Sequence, residues 1–187
     1  MIGLVLVRPW FRIRYIGREH IPKGAFVLAS NHVSYFDPLC LGFGFWCTLH
    51  FMAKSELFEC HGKFAGWFLR SCGVFPVRRN TADTDSISYA ADLLKHGKAI
   101  AVFPQGGIVK EQGFTPKAGA AMLSARCKVP LLPVSICRKN GFRLFRKITV
   151  RIGEPLFPED ETLKSARQMN KALKQTIQAF LEEGHED

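Results

Sequence analysis

Phe26-Val27-Leu28-Ala29-Ser30-Asn31-His32-Val33-Ser34-Tyr35-Phe36-Asp37-Pro38 changes character at its midpoint. The run 26–29 is continuously apolar and predicts a buried strand. Leu39-Cys40-Leu41-Gly42-Phe43, just beyond, predicts the start of a helix. A His and an Asp five residues apart at such a junction can act as a base and its orienter. The imidazole takes a proton near neutral pH, while the carboxylate fixes its tautomer and stabilises the imidazolium. On an ideal helix the two positions would lie about 140° apart, so only the turn itself can bring them together. A purely structural His–Asp pair is the alternative reading of the same spacing.

Outward from this junction, further elements follow the same logic. Phe11 to Ile16 alternates and predicts a partly exposed first strand. Leu49 to Ala53 predicts a short strand, residues 62–71 a helix, and Gly73 to Arg79 an extended piece closed by Arg78 and Arg79. Over 83–96, Ile87, Ala90, Ala91 and Leu94 fall on one helical face, with Asp83 to cap it and Gly97 to end it. Ala99 to Phe103 is a second continuous apolar strand that runs into the turn Pro104-Gln105-Gly106-Gly107. Thr115-Pro116 predicts the start of a helix over 117–127, with Ala118, Ala121, Met122 and Ala125 facing inward. Leu131 to Ile136 is a third apolar run. Asn140-Gly141 is a hairpin signal leading to a strand over 147–152, and the final helix, about 162–182, carries Leu163, Ala166, Met169, Leu173, Ile177, Phe180 and Leu181 on one stripe.

Strands that alternate with helices, and central strands without a polar face, predict an α/β layered fold. Its sheet is largely parallel, has helices on both faces and an antiparallel edge near 140. Ligands in such folds sit beyond the carboxyl ends of the strands, where His32, Arg79 and Gln105 are all expected.

The 187 residues suit one domain over 12–187, preceded by a short N-terminal segment, 1–11. That segment is apolar, holds Trp10 and is followed by Arg12, Arg14 and Arg18. It reads either as a membrane-surface anchor or as a cover for the core. The net charge of +10, from 26 basic and 16 acidic residues, favours an anionic partner. The basic stretch Arg138 to Arg151 reads as a contact with anionic lipid or as a solvated hairpin. The six cysteines form no Cys-x-x-Cys and read as buried free thiols of a reducing compartment, with no metal site. No stretch reaches the roughly 20 apolar residues of a spanning helix. No zinc, helix-turn-helix or RNA-stacking signature supports nucleic acid as the partner, and no Gly-x-Ser-x-Gly supports a serine hydrolase.

Four segments in order resemble the bacterial lysophosphatidic acid acyltransferase family (1-acylglycerol-3-phosphate O-acyltransferases) among the glycerolipid acyltransferases. They are Asn31-His32-x-x-x-x-Asp37, Gly73-Val74-Phe75-Pro76-Val77-Arg78-Arg79, Phe103-Pro104-Gln105-Gly106-Gly107 and Val129-Pro130-Leu131-Leu132-Pro133-Val134. Gly17 to Pro22 and Ile152 to Pro155 are similar to the family's flanking segments, and the resemblance covers about residues 10–157. It implies acyl transfer from acyl-CoA or acyl carrier protein, as co-substrate and with no cofactor, to the free hydroxyl of a lysophospholipid in phospholipid biosynthesis. It implies His32 as general base and Asp37 as its orienter, and places Asn31, Arg79, Gln105, Gly106 and Gly107 at the substrate. In that scheme Arg79 holds the acceptor's phosphate and the Gly106-Gly107 turn supplies oxyanion donors. It also implies a peripheral protein on the cytoplasmic face of an anionic membrane.

The chain departs from the family in its third motif: Gln105 stands for the usual Glu, Gly107 for Thr and Ile108 for Arg. Gln keeps the shape of Glu but trades charge for a donor. The alternatives this opens are a different lyso-lipid acceptor, or an inactive lipid-binding homologue.

Overall fold

In the computed structural model, which describes residues 13–45, 47–54, 74–77, 84–109, 113–138, 147–160 and 165–186, the apolar runs form strands of one sheet. In chain order these are β1 (Ile13–Ile16), β2 (Val27–Ser30), β3 (Leu49–Lys54), β4 (Val74–Val77), β5 (Ala99–Val102), β6 (Leu131–Arg138) and β7 (Ile148–Ile152). The described helices are α1 (Asp37–Gly42), α2 (Thr84–Lys95), α3 (Gly119–Cys127) and α4 (Ala166–Glu186), with a 3-10 turn at Arg18–His20.

The sheet order is β1-β7-β6-β2-β5-β3-β4. The five strands from β6 to β4 run parallel; β7 is antiparallel to β6, and β1 is parallel to β7. The expected antiparallel edge is therefore two strands wide. β2 lies near the middle, with Val27 opposite Leu131 on one side and Ile100 on the other. Its side chains alternate between two buried layers. Leu28 joins Leu41, Phe45 and Val134 on the α1 face, whereas Val27 and Ala29 join Ala120, Leu123, Met169, Leu173 and Ile177 under α2, α3 and α4. A strand buried on both faces has no polar position to spare, which is why its sequence is uniformly apolar. Each Val or Leu so buried contributes roughly 1.5–3 kcal/mol.

Helix faces differ from expectation in two places. Along α2, Ala90, Ala91 and Leu94 are buried but Ile87 is exposed. α3 begins at Gly119, not 117, and turns Ala120, Ala121, Leu123 and Ser124 inward; Met122 is 60% exposed and Ala118 is also exposed. Ala121 is buried and Ala125 packs against the core as expected, but an alanine-rich helix has little apolar contrast around its circumference, so spacing alone misplaced Ala118 and Met122. The start of α4 follows from a capping box. Ser165 Oγ accepts the Gln168 N–H at 3.2 Å, and Gln168 Oε1 accepts the Ser165 N–H at 3.1 Å.

The two flanking segments singled out in the sequence meet each other. Gly17 has φ +81°, and a Cβ there would lie 2.1 Å from the Ile152 carbonyl oxygen, so only glycine fits. His20 Nδ1 reaches that same oxygen at 3.0 Å. Of the cysteines, Cys40 is buried and Cys47 is exposed, against the expectation of uniform burial; Cys127 and Cys137 are half-buried, and all four are free thiols. Among the described residues no helix is long and apolar enough to cross a membrane. The N-terminal segment 1–11, the predicted helix over 62–71, Arg78, Arg79 and the Asn140-Gly141 turn lie outside the described residues.

Candidate active site

β2 pairs with β6 as far as Ser30 and Val134, and then its main chain leaves the sheet. Asn31 replaces the lost ladder with its side chain. Nδ2 donates to the Ile136 carbonyl at 2.9 Å and Oδ1 accepts the Ile136 N–H at 2.7 Å. Asn31 is buried and both ends of its amide are used on Ile136, so it pins the turn to β6. Released from the sheet, the chain makes a tight turn, closed by the Asp37 N–H to the Ser34 carbonyl at 3.0 Å, and enters α1 through Pro38.

The turn brings His32 and Asp37 together. His32 Nδ1 lies 2.9 Å from Asp37 Oδ2. The same oxygen accepts the N–H groups of Val33 at 2.7 Å and Ser34 at 2.8 Å. An ionised carboxylate only accepts, so Nδ1 carries the hydrogen and Nε2 holds the lone pair of the neutral ring. Asp37 has no exposed side-chain surface, while His32 keeps 16%. The orienter is thus fixed inside and the imidazole stays reachable. Its ring stacks on Phe103 at 4.1 Å between centroids, and Phe103 stacks in turn on Phe51.

The loop after β5 grips the peptide of His32 from both sides. Gln105 Oε1 accepts the His32 N–H at 3.1 Å, and the Val109 N–H donates to the His32 carbonyl at 2.9 Å. Gln105 Nε2 meets the Gly113 carbonyl at 3.5 Å. Gln105 therefore holds the base-bearing turn. Gly106, at φ +84°, spends its N–H on the Phe103 carbonyl at 3.1 Å. That N–H closes the turn and is not the oxyanion donor expected of it. A Cβ on Gly107 would meet no described atom within 4 Å, so the Thr usual in the family fits there. Arg79 lies outside the described residues.

The sequence reading missed one functional contact. Arg138, at the end of β6, donates from Nη2 to Asp37 Oδ1, with only 9% of its side chain exposed. Arg151, at the other end of the basic stretch, pairs with Glu183. Both described ends of that stretch are thus engaged in ion pairs within the chain, the first buried and the second with Glu183 at the surface. Beside the first pair lies Cys40, whose Sγ is 3.9 Å from Arg138 Nη2. Burial pushes the Cys40 thiol up to about 11 against the pull of Arg138. On the far side, α1 is held by β1 and the 3-10 turn. Tyr15 Oη donates to the Cys40 carbonyl at 2.7 Å, and Arg18 Nε and Nη2 both donate to the Gly44 carbonyl at 3.0 and 2.8 Å. Among the described residues no cluster of three His, Cys, Asp or Glu side chains is placed to hold a metal ion.

Fold and site together define an α/β layered enzyme with a His–Asp pair at the carboxyl edge of a largely parallel sheet. The chain belongs to the acyltransferase family, whose model matches residues 12–137. It is 33% identical over 174 residues to the 1-acyl-sn-glycerol-3-phosphate acyltransferase of Bacillus subtilis, which covers 88% of this chain and 86% of that protein. To the protein of the same name from Streptococcus pneumoniae it is 30% identical over 164 residues, covering 82% of this chain and 60% of the other. The crystal structure of the 1-acyl-sn-glycerophosphate (LPA) acyltransferase PlsC from Thermotoga maritima superposes with a TM-score of 0.74 at 26% identity, covering 97% of this chain and 75% of that one. The resemblance read from the four motifs thus stands, in family and in fold.

Proposed function

We propose that this acyltransferase moves a fatty acyl group from acyl-CoA or acyl carrier protein to the free hydroxyl of 1-acyl-glycerol-3-phosphate, giving phosphatidic acid for phospholipid biosynthesis. The observation that carries the reading is the 2.9 Å contact of His32 with a buried Asp37, which leaves the other ring nitrogen to meet a hydroxyl. The relatives named above support the choice of acceptor by their names.

In this reaction His32 Nε2 takes the proton of the acceptor hydroxyl as its oxygen attacks the thioester carbonyl. Base catalysis of this kind contributes roughly 10²- to 10⁴-fold. Asp37 stabilises the imidazolium while the tetrahedral intermediate lives. Collapse breaks the C–S bond, and His32 returns the proton to the departing thiolate. No acyl-enzyme and no cofactor are needed. The Gly107 N–H faces the oxyanion, and Arg79 pairs with the phosphate monoester, which a guanidinium fits with two parallel hydrogen bonds. The third-motif departure at Gln105 falls on a residue that holds the His32 peptide and keeps the acceptor for its N–H. The intact His32–Asp37 pair favours an active enzyme over an inert lipid binder.

A membrane-surface location on the cytoplasmic side belongs to the same proposal, with 1–11 as an attachment segment ahead of the catalytic domain. Tyr35 is 79% exposed and Phe36 and Leu39 are exposed beside it, one turn from His32. An apolar rim there, with a net charge of +10, suits an anionic bilayer that stores the acceptor. The test is thiol release from acyl-CoA and acyl carrier protein in mixed micelles, with lysophosphatidic acid set against lysophosphatidylcholine and lysophosphatidylethanolamine. Release stimulated by lysophosphatidic acid alone is expected; equal stimulation by all three would overturn the acceptor assignment.

A further inference from the structure

Arg138 is the first charge of a stretch that reads as basic surface, yet its guanidinium lies inside, on the far oxygen of Asp37. The two oxygens of that carboxylate have separate duties. Oδ2 takes His32, Val33 and Ser34, and Oδ1 takes Arg138. A permanent cation, a buried anion and an imidazole therefore stand in a row.

We infer that Arg138 is a positioning residue of the His32–Asp37 pair: it fixes the plane of the carboxylate, and its charge offsets part of the field that favours a protonated His32, so the base stays available at lower pH. The inference rests on reading His32 as the general base. A carboxylate alone beside a histidine favours the imidazolium; a guanidinium behind the carboxylate opposes it from further off.

The other described groups around His32 do not compete with this effect. Phe103 and Gln105, which face it from the β5 side, carry no charge. Cys40, which faces Arg138 from α1, has its thiol pushed up to about 11 and is neutral at working pH. Asp37 and Arg138 are the charged side chains that contact one another there.

The test compares the full-length wild type with Arg138→Gln, Arg138→Met and Arg138→Lys. It reads the pH profile of kcat/KM and, separately, the midpoint of the His32 imidazole resonance by NMR, assigned by its loss in His32→Ala. Both neutral variants leave Asp37 three of its donors. They are expected to move the acid limb and the resonance midpoint up, while Arg138→Lys stays close to wild type. An acid limb and midpoint that do not move in a folded neutral variant, even with lower kcat or melting temperature, would overturn the inference. So would loss of the fold in both neutral variants, which would make Arg138 purely structural. Retained activity in His32→Ala would instead defeat the base reading, and the NMR midpoint would still report on Arg138.

Discussion

Replacing Asp37 by Asn changes one atom and a charge, and the site has no way to absorb it. Asp37 accepts from His32 Nδ1, Val33 N and Ser34 N on one oxygen and from Arg138 on the other. An asparagine offers one acceptor oxygen and an amide NH₂ that only donates. With its oxygen on the turn, the amide NH₂ faces the Arg138 guanidinium; flipped, it faces three hydrogens. Either way the guanidinium, 9% exposed, loses its counter-charge. Removing one partner of a buried ion pair costs about 3–5 kcal/mol, which for a chain of this size is roughly 6–20 °C in Tm. The orienter is lost as well, so kcat should fall roughly 10²- to 10⁴-fold. Urea unfolding followed by circular dichroism, with turnover measured on the same preparation, checks both. A loss below about 1 kcal/mol, the value of an exposed pair, together with near-normal turnover, would refute a buried carboxylate that serves the turn, the base and Arg138 at once.

Other perturbations separate the parts of the site. Asn31→Asp places a carboxylate oxygen against the Ile136 carbonyl in a buried setting and should cost about 2–3 kcal/mol in urea titrations, with the ladder between β2 and β6 weakened first in hydrogen exchange. Gln105→Glu keeps the acceptor for the His32 N–H and loses only the 3.5 Å contact to Gly113, so stability should stay within about 1 kcal/mol and turnover within tenfold; Gln105→Ala, which frees the His32 N–H, should do worse on both. Cys40, with its thiol raised from 9.0 to about 11, should resist alkylation in the native state at pH 8 while exposed Cys47 reacts, as timed iodoacetamide labelling and mass spectrometry would show. The same shift withdraws stability as pH rises from 9.0 towards about 11, because the unfolded thiol ionises first, and Cys40→Ser should flatten that alkaline loss.

Much of this molecule could be read before folding it. Val27 to Ala29, Ala99 to Val102 and Leu131 to Ile136 are apolar without alternation because each is a strand covered on both faces. The His32–Asp37 spacing pointed to a turn, and a turn joins them. What escaped is non-local. Nothing about Arg138 or Asn31 as isolated letters says that the end of β6 lies beside the end of β2. An arginine at the head of a basic stretch looks like surface until the sheet order puts it next to a buried carboxylate. Gln105 gained a second role for a related reason: motif position says that it is near the site, and only the register of the loop says that its Oε1 meets the His32 peptide. The α3 face was only half legible, Ala121 and Ala125 but not Ala118 and Met122, because contrast among alanines is weak, and the start of α4 lay in a Ser165–Gln168 capping box that a pattern search can find.

The central claim is that His32, oriented by Asp37, activates an acceptor hydroxyl for attack on an acyl thioester. Its most direct measurement is acceptor-dependent release of free thiol from an acyl thioester by wild type and His32→Ala, both shown to be folded by thermal melts. Release that requires lysophosphatidic acid and falls to background in His32→Ala is the result predicted. A folded His32→Ala that releases thiol at the wild-type rate, or a wild type that releases none with any acceptor, would contradict it.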